Sequence, residues 1–316
     1  APFKLMGIDV RFIGGARYKD NLQVLDSYDQ NQQPLKVDNL TQDFLPSVNF
    51  IIKTTESANL RLSASQTLTR PSLREYAPFS FYDYLQQALV QGNPNLKRSL
   101  IQNYDVRYEY FPNPGEVMSL SVFYKNFENA IEETIYPQQS ELTRTFANSE
   151  SDAKNYGFEL ELRKSLGFIS NALQNLAVNV NLAVINSEIT VLQGGKGTSD
   201  TRQMWGQSPY TFNVGLFYML PEWGTSFNIA YNTYGKRIIQ VAQLESYPNV
   251  ADPHIYELER DLVDLSIIQP ISNQFEIKLS VKDLLNQPLL WEQNGKRTAY
   301  NLRGTNISLG LSMTIK

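Results

Sequence analysis

The chain has 316 residues, a formal net charge of −4 and no cysteine, and its mean hydropathy is negative although aromatic residues make up 12%. The lack of cysteine argues against a disulfide scaffold and thiolate metal sites, and the acidic balance gives no electrostatic basis for binding nucleic acid. No apolar run reaches the roughly 18 residues that a transmembrane helix needs. A membrane barrel made of strands still fits, because every second residue of such a strand faces water.

Apolar and polar residues alternate along almost the whole chain. In one run Tyr104, Val106, Tyr108 and Tyr110 share a face, and a Pro-Asn-Pro-Gly-Glu turn separates them from a second alternating run. Strict alternation is typical of strands with one apolar and one polar face. We expect about twelve strands, at residues 10–27, 44–53, 59–69, 101–111, 117–127, 156–164, 176–186, 209–220, 225–234, 260–269, 274–283 and 304–315.

Short and long connections alternate between these strands. The short ones lie at residues 55–58, 112–116, 168–175, 221–224 and 270–273, and the long ones at residues 28–43, 70–100, 128–155, 187–208, 235–259 and 284–303. Tight periplasmic turns and long external loops are the rule for outer-membrane barrels. The pattern predicts an all-β, transmembrane, antiparallel up-and-down β-barrel, with the tyrosines of the apolar face pointing into lipid and Arg61, Arg107 and Lys278 lining a wet lumen.

Several stretches resemble the barrel of TonB-dependent outer-membrane receptors, in particular the large receptors of Bacteroidetes-type bacteria. They are SQTLTRPSLREYAP at residues 65–78, NYDVRYEYFPNPGEVMSLSVFYKNFENAIE at 103–132, NYGFELELRKSLGF at 155–168, GQSPYTFNVGLFY at 206–218, VKDLLNQP at 281–288 and RGTNISLGLSMTIK at 303–316. The resemblance implies a barrel of about 22 strands, plugged by an N-terminal domain. We therefore expect residues 1–316 to be one barrel domain, the C-terminal half, with the plug absent from this chain.

The resemblance also implies a location, a function and partners. The location is the bacterial outer membrane, and the function is uptake of a scarce ligand, such as a ferric siderophore, cobalamin or a glycan. The partners would be outer-membrane lipid, the N-terminal barrel half with its plug, and the TonB complex, which acts through the plug. The chain starts without a signal peptide and ends in Lys316 rather than the terminal aromatic residue usual for these barrels. We expect either that the signal was removed or that this chain is a piece of a longer one, and truncation, engineering or a divergent terminus would each explain Lys316.

The sequence predicts no enzyme and no cofactor. His254 is the only histidine, and the chain has no G-x-S-x-G motif, so a histidine-dependent hydrolase would have to use this residue alone. We expect His254 to be a solvated loop residue. A metal site of His254, Asp252 and Glu257 is an alternative for which the spacing is not diagnostic.

Aromatic residues are unusually dense in the long connection 70–100, which should meet water. The candidate ligand contacts are Tyr76, Phe79, Phe81, Tyr82 and Tyr84, since aromatic rings supply contact area with few rotamers to freeze. The alternative, which we favour here, is that they pack the loop against its neighbours. Phe81, Leu85 and Leu89 lie at helical spacing, which favours a short helix, and Arg70-Pro71 is expected to shape the exit from the strand.

Further candidate contacts lie near the predicted barrel rim. Arg202 and Trp205 precede one strand, and Trp291 lies in the last long connection; these residues fit either ligand contact or the interfacial aromatic belt. Two other functions stay open at this level. One is a self-contained twelve-stranded passive pore or surface-binding protein, and the other is a soluble β-sandwich or solenoid that binds carbohydrate.

Overall fold

The protein is described by a computed structural model that covers residues 2–5, 7–28, 33–84, 88–136, 142–195, 197–246 and 249–314. The first strands are β1 (Pro2–Leu5), β2 (Ile8–Tyr28), β3 (Pro34–Thr55), β4 (Ala58–Thr69), β5 (Ser80–Asp83), β6 (Ala88–Gln91), β7 (Ser99–Tyr110), β8 (Val117–Glu128), β9 (Ile131–Ile135), β10 (Thr143–Asn148) and β11 (Ala153–Ser165). The others are β12 (Leu176–Leu192), β13 (Ser199–Arg202), β14 (Tyr210–Leu220), β15 (Thr225–Tyr234), β16 (Arg237–Gln240), β17 (Ile255–Glu257), β18 (Arg260–Pro270), β19 (Phe275–Lys282), β20 (Leu289–Gln293), β21 (Lys296–Asn301) and β22 (Asn306–Met313).

Helical structure is sparse. The α-helix α1 spans Leu73–Tyr76, and short 3-10 helices span Leu166–Phe168, Asn171–Leu173, Gln193–Gly195 and Leu244–Ser246. Within the described residues, no helix has the length and apolar character needed to cross a membrane.

One large antiparallel sheet carries the fold. Its strand order is β1-β2-β3-β4-β7-β8-β11-β12-β14-β15-β18-β19-β22, and β13 pairs with the end of β12. All twelve predicted strands are members of this meander, which confirms the up-and-down topology. Over the described residues no pairing joins β1 to β22, so the sheet is open.

The register places apolar residues in continuous rows. One row runs across seven adjacent strands through Phe50, Leu62, Val106, Val122, Phe158, Val184 and Tyr210. Neighbouring side chains of a strand point to opposite faces, so each such row lies on the same face. This face, the apolar face, is uncovered: Val106 and Val122 are about half exposed.

Aromatic pairs lie at both ends of the apolar face. Tyr218 and Phe227 have ring centroids 6.4 Å apart beside the short turn between β14 and β15. Phe212 and Tyr231, 6.2 Å apart, lie toward the opposite end of the same two strands. An apolar band between aromatic girdles is the outer surface of a membrane barrel.

The opposite face of the sheet, the polar face, carries linked charges. The Glu109 carboxylate accepts hydrogen bonds from Arg61 Nε at 2.7 Å and Arg107 Nε at 2.9 Å. Arg107 Nη2 also donates to Glu161 at 2.6 Å. Charges that pair with one another along a wall suit a water-filled lumen, as expected for Arg61 and Arg107.

The long connections differ from the sequence-based expectation in two places. Residues 28 and 34–43, expected to lie in a loop, instead extend β2 and β3, whose pairing reaches Tyr28 with Pro34; residues 29–32 lie outside the described residues. The helix expected at Phe81, Leu85 and Leu89 is wrong: Phe81 and Leu89 lie in β5 and β6, and Leu85 lies outside the described residues. The helix forms earlier, at α1, where Ser72 and Glu75 make a capping box.

Candidate functional site at the loop end of the sheet

Two small sheets are built from the long connections at one end of the large sheet. Their strand orders are β5-β6-β10-β9 and β16-β17-β20-β21. With β13 and the segments that join these strands, they form what we call the loop-end platform. Among the described residues, one buried apolar cluster lies around Ile189 and Val191 at the end of β12 and another around Ile135, Ile238 and Val241. The platform is therefore a packed layer and not a set of separate loops.

The aromatic segment predicted to contact ligand is split by its environment. Tyr76 is buried, at the end of α1, and Phe81 lies half-buried under the Arg74 guanidinium, 4.6 Å from the ring centroid. Phe79, Tyr82 and Tyr84 are exposed, and the rings of Tyr82 and Tyr84 meet edge to face at 5.0 Å. The three exposed rings are accessible to a ligand, while Tyr76 and Phe81 pack within the platform. Ligand contact by these residues stays a prediction.

Tyr76 also borders a polar groove of about 330 Å³ between the β2–β3 hairpin and residues 94–98. The nearby Asp43 carboxylate pairs with Arg70 Nη2 at 2.8 Å and also with Arg98. Arg70 was expected to shape the strand exit through the proline that follows it. The structure adds a second role, because the pair ties the end of β4 to the polar face of β3.

Arg202 lies at the centre of a buried charge network. Its guanidinium donates to Glu132 Oε2 at 2.8 Å, to Asp200 Oδ2 at 3.1 Å and to the Glu133 carbonyl at 2.8 Å. Glu132 also accepts from the backbone N–H of Trp205 at 3.0 Å. These four hydrogen bonds hold the Arg202 guanidinium and the Glu132 carboxylate to protein groups. Arg202 was predicted to contact ligand, and its guanidinium is already engaged by protein groups.

His254 joins the same network and is buried, contrary to the expectation of a solvated loop residue. Its Nε2 lies 3.4 Å from Asp200 Oδ1, and its Nδ1 accepts a hydrogen bond from the Ala242 N–H at 3.2 Å. We call Glu132, Asp200, Arg202 and His254 the buried charge network. Sequence spacing gave no signal for it, because β9, β13 and the 252–254 segment are far apart along the chain.

Burial and pairing shift the pKa values of Glu132 and Asp200 in opposite directions. Burial raises the pKa of Glu132 above its usual value, and the charge and hydrogen bonds of Arg202 offset that only in part. Burial alone would also raise the pKa of Asp200, but the hydrogen bond to His254 and the nearby positive charges outweigh it and hold this pKa below its usual value. Asp200 is therefore the firmly ionised member.

The possible metal site of His254, Asp252 and Glu257 is not assembled. Asp252 accepts from Tyr256 Oη at 2.7 Å, and Glu257 accepts from Tyr234 Oη at 2.7 Å. Each side chain is thus directed at a different partner. Among the described residues there is no group of three or more His, Cys, Asp or Glu side chains placed to hold a metal ion.

Trp205 and Trp291 occupy different parts of the platform. Trp205 is exposed at its ring, and its Nε1 donates to the Ile239 carbonyl at 3.0 Å, which fixes its orientation. Trp291 lies half-buried in β20, opposite Glu257 and Ala299, and its Nε1 is buried without a hydrogen-bond partner among the described residues. Their proposed role in ligand contact stays a prediction.

An open meander with an apolar, girdled face and a charged face defines a part of an outer-membrane β-barrel. The family model described as TonB dependent receptor-like, beta-barrel matches residues 3–267, and the chain belongs to this family. The barrels of TonB-dependent receptors are bacterial outer-membrane proteins, so that is the location of this chain. The family is one of receptors and transporters, not of enzymes. A search of curated proteins finds no match.

Solved structures share the fold at low sequence identity. The FrpB iron transporter from Neisseria meningitidis (F3-3 variant) has a TM-score of 0.63 and 16% identity, over 96% of this chain and 42% of that one. A ferric enterobactin receptor (PfeA) mutant from Pseudomonas aeruginosa has a TM-score of 0.57 and 17% identity, over 97% of this chain and 45% of that one. The siderophore receptor PirA from Acinetobacter baumannii has a TM-score of 0.59 and 15% identity, over 97% of this chain and 46% of that one. This chain thus spans less than half the length of these receptors.

Proposed function

We propose that the chain is the C-terminal barrel half of a TonB-dependent receptor that imports a scarce ligand of the siderophore class. The family match over residues 3–267 carries the proposal. The siderophore class is preferred to cobalamin or a glycan because similar solved structures are described as an iron transporter and siderophore receptors. At such low identity these neighbours establish the fold alone, so the ligand is the part of the proposal that most needs a test.

The wall itself supports a barrel that is completed by another segment. The backbone groups at the free edges of β1 and β22 need hydrogen-bond partners, since lipid offers none. An N-terminal barrel half would supply them, and a plug would occupy the lumen beside the Arg61–Glu109–Arg107 ion pairs. Energy from the TonB complex would then act on the plug, and this chain would contribute wall and external surface.

The ligand would be met first by exposed rings on the platform. Phe79, Tyr82, Tyr84 and Trp205 are accessible there, and Trp291 is half-buried. Rigid aromatic rings bind ligands at low entropic cost. In this proposal Tyr76, Phe81 and Arg202 serve the site by packing the surface that presents these rings.

The test compares the chain expressed alone, with a signal peptide, against the chain expressed with the upstream half of its receptor. Membranes are fractionated and boiled and unboiled samples are compared on a gel. Rescue of a heat-modifiable outer-membrane band by the upstream half supports the receptor barrel. A heat-modifiable band from the chain alone would favour the self-contained pore instead, and a soluble monomer would overturn both.

The ligand class is tested separately in cells that express the intact receptor and lack their other outer-membrane receptors for ferric chelates. Replacing Tyr82 and Tyr84 together by alanine should reduce uptake of a ferric siderophore while leaving the amount of folded receptor unchanged. Uptake of cobalamin or of a glycan by the intact receptor, with none of the ferric chelates tested, would contradict the siderophore assignment but not the barrel.

A further inference from the structure

His254 lies where a loop of the platform meets the buried charge network. The loop is the connection between β16 and β17, which ends at His254, and its residues Ala242, Leu244 and Glu245 hydrogen-bond to Gln193 and Thr198, between β12 and β13. Three hydrogen bonds hold it there: Ala242 N–H to His254 Nδ1 at 3.2 Å, Gln193 Nε2 to the Ala242 carbonyl at 2.8 Å and Leu244 N–H to Gln193 Oε1 at 3.2 Å. The first of these contacts depends on the protonation state of an imidazole.

The contacts of His254 specify one neutral tautomer. A backbone N–H can only donate, so Nδ1 must present its lone pair to Ala242 and carry no proton. The proton of the neutral ring is then on Nε2, which faces the carboxylate oxygen of Asp200 at 3.4 Å. An imidazolium carries protons on both nitrogens, and its Nδ1–H would face the Ala242 N–H donor to donor.

We propose that His254 is a pH-sensitive latch, in which protonation of Nδ1 removes the acceptor for the Ala242 N–H and weakens the attachment of residues 241–244 to the loop-end platform, leaving them held by their two hydrogen bonds to Gln193. The ring itself stays in place, because the imidazolium forms an ion pair with Asp200. Only the hydrogen bond between the Ala242 N–H and His254 is lost. The consequence is a local change at the external surface of the barrel, with the strands below unaffected.

The other ionisable groups around His254 have different positions and roles. Asp200 faces Nε2 of His254. Arg202 donates to Asp200 and to Glu132, so these two residues lie one and two contacts beyond Asp200. Asp252 and Tyr256 flank the histidine in the chain and are hydrogen-bonded to each other. The lowered pKa of Asp200 keeps it ionised while a histidine titrates. Glu132, whose pKa is raised by burial, is the second group that can take up a proton, and it accepts hydrogen bonds from Arg202 and Trp205.

The experiment measures hydrogen exchange of residues 241–244 in the intact receptor that contains this chain, from about pH 8 to about pH 5, the range in which histidines titrate. Protection factors corrected for intrinsic exchange are compared for wild type, His254→Gln and Glu132→Gln. Glutamine can accept from Ala242 and donate to Asp200 without titrating. The wild type should lose roughly tenfold protection at Ala242 on acidification, the scale of one hydrogen bond, and Glu132→Gln should lose as much.

The same acidification should leave the protection factor at Ala242 unchanged in the His254→Gln protein. A wild-type protection factor that is independent of pH would overturn the latch, as would an equal loss in His254→Gln or the absence of any loss in Glu132→Gln. Protection of β9 and β13 reports whether the platform is folded in each variant. If His254→Gln does not fold, the ¹⁵N spectrum of the wild-type imidazole decides: a proton on Nδ1 at about pH 8 overturns the proposal, and an unprotonated Nδ1 that gains its proton together with the loss of protection supports it.

Discussion

Buried charges are the residue-scale feature that most constrains the loop end. Glu132, Asp200, Arg202 and His254 are each less than a tenth exposed. An ionised group inside a protein is costly unless it is paired and hydrogen-bonded. Arg202 meets that requirement for both carboxylates at once, so its side chain holds β9 and β13 together.

Arg202→Met is expected to destabilise the platform, because it leaves the Glu132 carboxylate buried without its cation. Removing one partner of a buried ion pair costs about 3–5 kcal/mol. The loss should be visible as faster hydrogen exchange in β9 and β13, with β7 and β8 unchanged. The matched control is Arg237→Met: Arg237 pairs with Glu257 at 3.0 Å but its side chain is 38% exposed, so a change below about 1 kcal/mol is expected. Equal effects of the two substitutions would contradict the structural role of Arg202.

Sequence reasoning found some of these residues and missed others for a physical reason. Arg202 and Trp205 were singled out because they stand near the start of a predicted strand. Glu132, Asp200 and His254 were not grouped with them, since Arg202 and Glu132 are 70 positions apart and neither is in an alternating run. A single histidine in a polar loop sequence gives no sign that the fold will bury it.

Close backbone packing is the element-scale feature of β11 and β12. A Cβ atom at Gly157 would overlap the carbonyl oxygen of Val184 and the backbone of Ile185. Gly215 in β14 lies on the same polar face, but its nearest neighbour would be Asn179 Cβ at 3.8 Å, an ordinary contact. The two glycines therefore occupy similar strand positions with different space for a methyl group.

Gly157→Ala is expected to force β11 and β12 apart and to cost about 1–3 kcal/mol. Gly215→Ala should be neutral or stabilise the strand by about 0.5–1 kcal/mol, because alanine loses less conformational freedom on folding. The measurement is the urea midpoint for loss of the heat-modifiable band in the intact receptor. A tolerated alanine at position 157, or equal losses at both positions, would show that the strands are not packed as closely as described.

Twelve strands of the large sheet were predictable, whereas β1 and the strands of the platform were missed. One apolar and one polar environment on either side of the sheet leave a period-two pattern, which all twelve predicted strands carry. The platform strands are three to six residues long, and β9 is mostly buried, with no alternation in Ile131–Ile135. Such segments resemble loops in sequence, because packing on both faces removes the alternation.

At the scale of the whole molecule, the two faces of one sheet explain the composition. An apolar row such as Leu62, Val106 and Val122 lies directly beside the charged row of Arg61 and Arg107. The chain can therefore have a negative mean hydropathy and still present an apolar surface to lipid. The proposed function assigns ligand recognition to the platform, whose shape depends on contacts between distant segments.

The most direct test measures whether the apolar face of the large sheet points into lipid and the polar face away from it. The chain has no cysteine, so single cysteines can be placed at Asn228, Ile229, Ala230 and Tyr231 of β15 in the membrane-embedded receptor and probed with a water-soluble maleimide and a lipid-phase quencher. A barrel wall with its apolar face in lipid predicts strict alternation. A fluorophore attached at position 229 or 231 is quenched from lipid, and these two cysteines are shielded from maleimide, whereas a fluorophore at position 228 or 230 is not quenched from lipid. The opposite phase, or uniform reaction with maleimide at all four positions, would contradict a barrel wall with its apolar face in the membrane.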